Sequence, residues 1–176
     1  KLTIFASSND EAKQLLTGVN FSFKNQNLEC AATCGHRLAN VSITHDKNFN
    51  DNDDTLYDQE NLSLTIPAKS LREIEKLLSI KTSDNSIKLF YDKGQLVFIS
   101  SNQIITTRTL EGSYPNYSQL IPDTFSKLYT FNKIKLTDAL ERIAVLADQQ
   151  SSVVKIKIEA NDLARISADA QDIGSA

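Results

Sequence analysis

From residue 18 onward the chain alternates apolar and polar positions. Val19, Phe21 and Phe23 fall on one side of an extended run. Later runs place Val41 and Ile43, beside apolar Leu38, and then Leu62, Leu64 and Ile66, in similar fashion. A period near two marks half-buried strands. LLTGVNFSF (15–23), LECAAT (28–33) and HRLANVSIT (36–44) are therefore read as three successive strands, the first pair joined by a turn at KNQN (24–27). LSLTI (62–66) is a fourth. Pro67 then suits a first helical residue, because its missing N–H would be unpaired there anyway. AKSLREIEKLLS follows with Leu71, Ile74, Leu77 and Leu78 at helical spacing. Residues 86–110 read as three strands, SIKLFY, QLVFIS and IITTRTL, joined by tight turns at DKG and SNQ. EGSYPNYSQLIPD (111–123) is a proline-containing connector. KLTIFA (1–6) reads as the tail of an element, broken by SSND.

The order then repeats. KLYTF (127–131) is expected to be a strand and Asn132 an N-cap. Leu136, Ala139, Leu140, Ile143 and Ala144 form one helical face. Polar DQQS precedes SVVKIKI (152–158), a turn at AND and LARISA (163–168). Strand, helix, polar gap, strand, turn, strand thus occurs twice, which suggests copies stacked or paired through their sheets.

Composition changes this picture in several places. The acidic, Asn- and Asp-rich run HDKNFNDNDDTLYDQEN (45–61) reads as a long solvated loop. The net charge of −3 over 176 residues removes any whole-chain basic signal for nucleic acid. No stretch reaches the roughly 18 apolar residues of a membrane span, and no secretory leader is seen. Two cysteines are too few for a disulfide scaffold, so a reducing cytoplasm is expected. A chain that starts at Lys1 and contains no methionine is read as a piece of a longer protein.

Rare reactive residues gather in AATCGHRLAN (31–40). Cys34 and His36 could form a nucleophile and its base, giving a cysteine-dependent hydrolase. Two residues apart on a strand, they would share a face without pointing at each other, and no Asn or Asp is placed to orient the ring. Cys30, Cys34, His36 and His45 lack the paired spacings of a zinc site, so no metal and no cofactor are expected. The simpler reading is a tight turn at Cys34-Gly35, with Gly35 supplying a positive φ.

On the helix after Pro67, Lys69, Arg72 and Lys76 cluster opposite the apolar residues at about 100° per residue. Three cations spaced along a helix could meet successive phosphates of a duplex without reading bases. They could equally be a solvated face, with Glu73 and Glu75 beside them.

Two separated stretches also resemble a known family. T-x-G-H-R-L-A at Thr33–Ala39 and G-x-Y-P-x-Y-x-x-L-I-P at Gly112–Pro122 are similar to motifs of the bacterial DNA polymerase III beta subunit, the sliding clamp. LLTG at 15–18 and IPAK-x-L at 66–71 add to the likeness, which covers essentially the whole chain. The resemblance implies an α+β DNA clamp fold of repeated domains, with antiparallel sheets outside and helices lining the inner face. It implies a middle clamp domain at 1–122, incomplete at its start, and the first part of a third domain at 123–176.

By the same resemblance the function is that of a non-enzymatic processivity factor. A head-to-tail homodimeric ring would encircle double-stranded DNA without sequence preference, in the cytoplasm at the nucleoid and with no membrane role. Lys69, Arg72 and Lys76 would face the phosphates. Lys13 and Gln14 lie in a segment that contacts DNA in some relatives. A groove mapped to Leu16, Thr33, Gly35, His36, Arg37, Leu38, Pro115 and Leu120 would take short linear motifs from the polymerase catalytic subunit, the clamp loader and repair proteins. The family groove also uses residues near the end of the third domain, so this one would be partly built.

Cys34 stands where the family usually has Asp, and the Asp hydrogen bonds to nearby backbone are expected to be lost. The 45–61 loop is longer than in some relatives. An ordinary Cys34 thiol is expected of a clamp, and a strongly depressed one beside a base is expected of the hydrolase. A peptide-binding adaptor without a DNA role is the other alternative.

Overall fold

Alternation becomes a sheet wherever a partner strand closes the ladder. In the computed structural model, β1 (Gly18–Lys24) pairs antiparallel with β2 (Asn27–Thr33), which pairs with β3 (Leu38–Thr44). β4 (Leu62–Pro67) returns along the other side of β1, giving the order β3-β2-β1-β4. The structure describes residues 1–24, 27–44, 62–79, 87–100, 103–147, 153–159, 163–170 and 174–175. The acidic 45–61 run, the tips of the KNQN and SNQ turns, DQQS, the AND turn and His45 lie outside the described residues.

The chain divides into two compact units, Lys1–Ile121 and Pro122–Ala176. In the first, α1 (Ala68–Leu78) starts directly from β4. Pro67 closes the strand and caps the helix, one position earlier than its expected place inside it. Ala68, Leu71 and Ile74 are buried, whereas Leu78 at the last turn reaches the surface. β5 (Lys88–Asp92), β6 (Gln95–Ser100) and β7 (Gln103–Arg108) form a second antiparallel sheet in sequence order. Lys93 and Gly94 both take positive φ between β5 and β6, as a two-residue hairpin turn requires.

Val19, Leu64, Ile66, Leu71, Ile74, Leu96 and Phe98 belong to one core, with α1 against the first sheet. Ile66, Leu96 and Val19 are its largest fully buried side chains. Each contributes about 1.5–3 kcal/mol of transfer free energy. KLTIFA is not a strand or a long helix but a single 3-10 turn at Ile4–Ala6, which seats Ile4 and Ala6 in that core.

In the second unit, α2 (Lys133–Ala147) is capped at Asn132, whose Oδ1 accepts from the Lys135 N–H at 3.1 Å. β8 (Lys155–Ile158) and β9 (Ala164–Ser167) form a hairpin ladder, and short β10 (Asp169–Ala170) pairs with β11 (Gly174–Ser175). α2 packs on β9 and β10.

One expected element is corrected. KLYTF is not a strand, because no ladder partner meets it among the described residues. In the first unit the equivalent β4 has β1 beside it. Backbone pairing, not side-chain pattern, decides whether an extended segment is a strand. The two halves therefore share a helix followed by two antiparallel strands, but not the leading strand.

Candidate functional site

β2 ends at Thr33 and β3 begins at Leu38, so residues 34–37 must reverse the chain. Thr33 organises that reversal. Its hydroxyl donates to the Arg37 carbonyl at 2.8 Å and accepts from the Gly35 N–H at 3.1 Å. The Cys34 N–H also reaches the Arg37 carbonyl, at 3.3 Å. Gly35 has φ +92°, the left-handed region that other residues rarely adopt. Nothing lies within 4 Å of where its Cβ would be, so the backbone conformation, not space, requires the glycine. Gly35, His36 and Arg37 are exposed and Leu38 is half-buried.

The turn sits beside the connector. The backbone N–H of Thr33 donates to the Tyr114 hydroxyl at 3.0 Å, and Tyr114 meets Tyr117 edge-on with ring centroids 6.4 Å apart. Tyr117 is buried, with the Glu29 carboxylate close enough to act on its phenol. Burial first, then the Glu29 charge, pushes its phenol up to about 12. Burial also raises Tyr114, opposed by its bond from Thr33. At the near end of the connector, the Leu110 N–H donates to the Thr65 carbonyl at 2.7 Å, and Gly112 lies against the Leu15 side chain. Pro115 and Leu120 are carried on this pinned segment. Leu120 sits in a 3-10 turn at Ser118–Leu120 and is 63% exposed. Leu16 is half-buried, and its carbonyl accepts from the Ser8 N–H at 2.8 Å.

Tyr114, Tyr117 and Glu29 were not among the residues singled out from sequence. The signal for the two tyrosines lay in the YPNY motif itself, where two aromatics flank a proline. A tyrosine partnering a strand end needs long-range pairing, which local spacing does not encode.

The Cys34 thiol is drawn below the ordinary value, first by the His36 backbone N–H and further by the Arg37 N–H and guanidinium, with desolvation opposing. The imidazole of His36 is not among the groups acting on it, so the Cys–His pairing of a hydrolase is not formed. Cys30 behaves oppositely: burial pushes its thiol up to about 11.

The second candidate surface is the outward side of α1. Lys69, Arg72 and Lys76 are exposed on it, opposite buried Leu71 and Ile74. A shallow depression there is lined by Lys69, Ser70, Arg72 and Glu73. The cations are not equivalent. Lys76 pairs with Glu73 at 2.9 Å, and Lys69 with Glu11 at 3.6 Å, whereas Arg72 has no ion pair among the described residues. Glu11 opens the 3-10 segment Glu11–Thr17, which is kinked at Lys13. The Glu11–Lys69 contact shows that the segment carrying exposed Lys13 and Gln14 lies beside the start of α1.

Among the described residues, no helix is long and apolar enough to cross a membrane. No group of three or more His, Cys, Asp or Glu there is placed to hold a metal ion.

Residues 1–116 match the family model described as DNA polymerase III beta subunit, central domain. A beta sliding clamp of Synechococcus elongatus is 42% identical over 98% of this chain, and one of Streptococcus pneumoniae is 35% identical over 89%. The crystal structure of the DNA polymerase III beta chain from Streptococcus pneumoniae superposes with a TM-score of 0.81 at 30% identity, covering 99% of this chain. The DNA polymerase sliding clamp of Bacillus subtilis gives 0.81 at 28% identity and the same coverage. This chain spans 44% of the Synechococcus relative and 44% of the Streptococcus structure. With α1 and the antiparallel sheets arranged as in these structures, the chain belongs to the DNA polymerase III beta subunit family, the beta sliding clamps.

Proposed function

We propose that this chain is part of a DNA sliding clamp, a non-catalytic processivity factor that encircles duplex DNA and docks partner proteins in a peptide groove. The observation that carries it is the division of α1 into a buried apolar side and an exposed side bearing Lys69, Arg72 and Lys76, in a chain of this family. Such a face meets phosphates without reading bases, so binding is weak, non-specific and sensitive to salt. Lys13 and Gln14, held next to α1, extend the same face. Ring closure in a homodimer, rather than tight contact, keeps the protein on DNA at the nucleoid. The full-length protein, once loaded, is expected to stay on a nicked circular duplex and to leave it after a single linearising cut. Equal loss from circle and line, followed by gel filtration, would sink the reading.

Docking falls to Leu16, Thr33, Gly35, His36, Arg37, Leu38, Pro115 and Leu120. The Thr33–Tyr114 bond supports this by holding the 34–37 turn beside the connector. Apolar Leu16, Leu38, Pro115 and Leu120 suit the hydrophobic anchors of linear motifs from polymerase, clamp loader and repair proteins. Leu120 is the cleanest test, since it is exposed and outside the core. Leu120→Ala in the full-length protein is expected to weaken a clamp-motif peptide about tenfold, as loss of a buried anchor does. Unchanged affinity by calorimetry would remove Leu120 from the groove.

A further inference from the structure

The three cations of α1 differ in what already faces them, and one of the facing groups comes from outside the helix. Glu73 is Lys76's neighbour along the helix, an ordinary i,i+3 pair. Glu11 is delivered from a separate segment. That segment is fixed at its start by Asp10, whose Oδ1 accepts from the Ala12 N–H at 3.0 Å. It is fixed near its end by the Ser8–Leu16 bond and by Leu15 against Gly112. Its carboxylate is therefore presented to Lys69 by the fold.

We propose that Glu11 sets how firmly this face grips duplex DNA, by occupying Lys69 when no phosphate does. The inference rests on the DNA-encircling reading above. Side chains of the pair are 87% and 88% exposed. Exposed pairs are worth about 0–1 kcal/mol, so a phosphate displaces Glu11 readily. Displacement leaves the carboxylate beside the incoming phosphate, where like charges repel. Lys69 then contributes less to binding than unpaired Arg72 at the same depression. A carboxylate so placed lowers affinity without blocking the face, which suits a protein that must move along its ligand.

The test uses the full-length protein and a short fluorescent duplex, with affinity measured by anisotropy across a salt series. Glu11→Gln is expected to tighten binding about two- to fivefold and to make the salt slope steeper by about 0.9. In a Lys69→Gln background the same change is expected to give less than half that gain, because no cation remains to be freed. No gain from Glu11→Gln, or an equal gain in both backgrounds, would overturn the proposal. Arg72→Glu separates the two levels of inference. Weaker binding there with a silent Glu11→Gln confines the failure to Glu11. Unchanged binding with Arg72→Glu rejects the DNA-facing role of α1 and this inference with it.

Discussion

Replacing Lys69, Arg72 and Lys76 together with glutamate in the full-length protein is expected to lower duplex affinity at least about a hundredfold at low salt. Loss of three phosphate contacts makes the salt slope shallower by about 2.7, at about 0.9 per contact on B-form DNA. Reversal adds repulsion to that loss. Stability is expected to change little, because all three side chains lie on the solvent side of α1 and the core residues Leu71 and Ile74 are untouched. New like-charge neighbours, Glu11 beside position 69 and Glu73 beside position 76, cost a few tenths of a kcal/mol each. Salt-dependent anisotropy with a thermal melt on the same samples reads both quantities. Undiminished affinity with an unchanged slope would mean that DNA does not approach this face.

Gly18→Ala is expected to destabilise the first unit by about 3 kcal/mol, the upper part of the usual range for overpacking. A Cβ at Gly18 would lie 2.7 Å from Thr65 Cγ2, 2.8 Å from the Ile66 carbonyl oxygen and 2.9 Å from Leu110 Cδ1. Ordinary carbon contacts are about 3.5–4.0 Å. Leu110 could rotate away, but the Ile66 carbonyl belongs to β4 and sits in the ladder with β1. The strands must part or Leu110 must lift, and Leu110 begins the connector that carries Pro115 and Leu120. A domain of ordinary stability, about 5–15 kcal/mol, survives this with a lower denaturation midpoint. A midpoint equal to that of the parent chain would show that the contact relaxes freely.

Much of the first unit was legible because its signals are local. The alternation at Val19, Phe21 and Phe23, the Pro67 junction and the spacing of Leu71 and Ile74 each arise within a few residues. β1, β2, β3, β4 and α1 formed about where those patterns lie. KLYTF carried the same kind of signal and formed no strand, since a ladder needs a neighbour that its own sequence does not specify. The site was legible in part. A helical wheel put Lys69, Arg72 and Lys76 on one side, and Gly35 was assigned a positive φ, which it has. Neither pattern could show that Glu11 lies across from Lys69, or that Tyr114 receives the Thr33 N–H. Those pairs are made by chain segments far apart, and only the folded backbone sets their separation.

The bond between Thr33 and Tyr114 spans 81 residues of sequence. Closing a loop of that size costs chain entropy before any contact repays it. β3, β4, α1 and the whole second sheet lie between its ends. Neither side of the proposed docking surface can therefore be positioned against the other until the intervening chain has folded. An unfinished or locally opened copy presents two separate fragments of the surface, and only a completed first unit offers both at once.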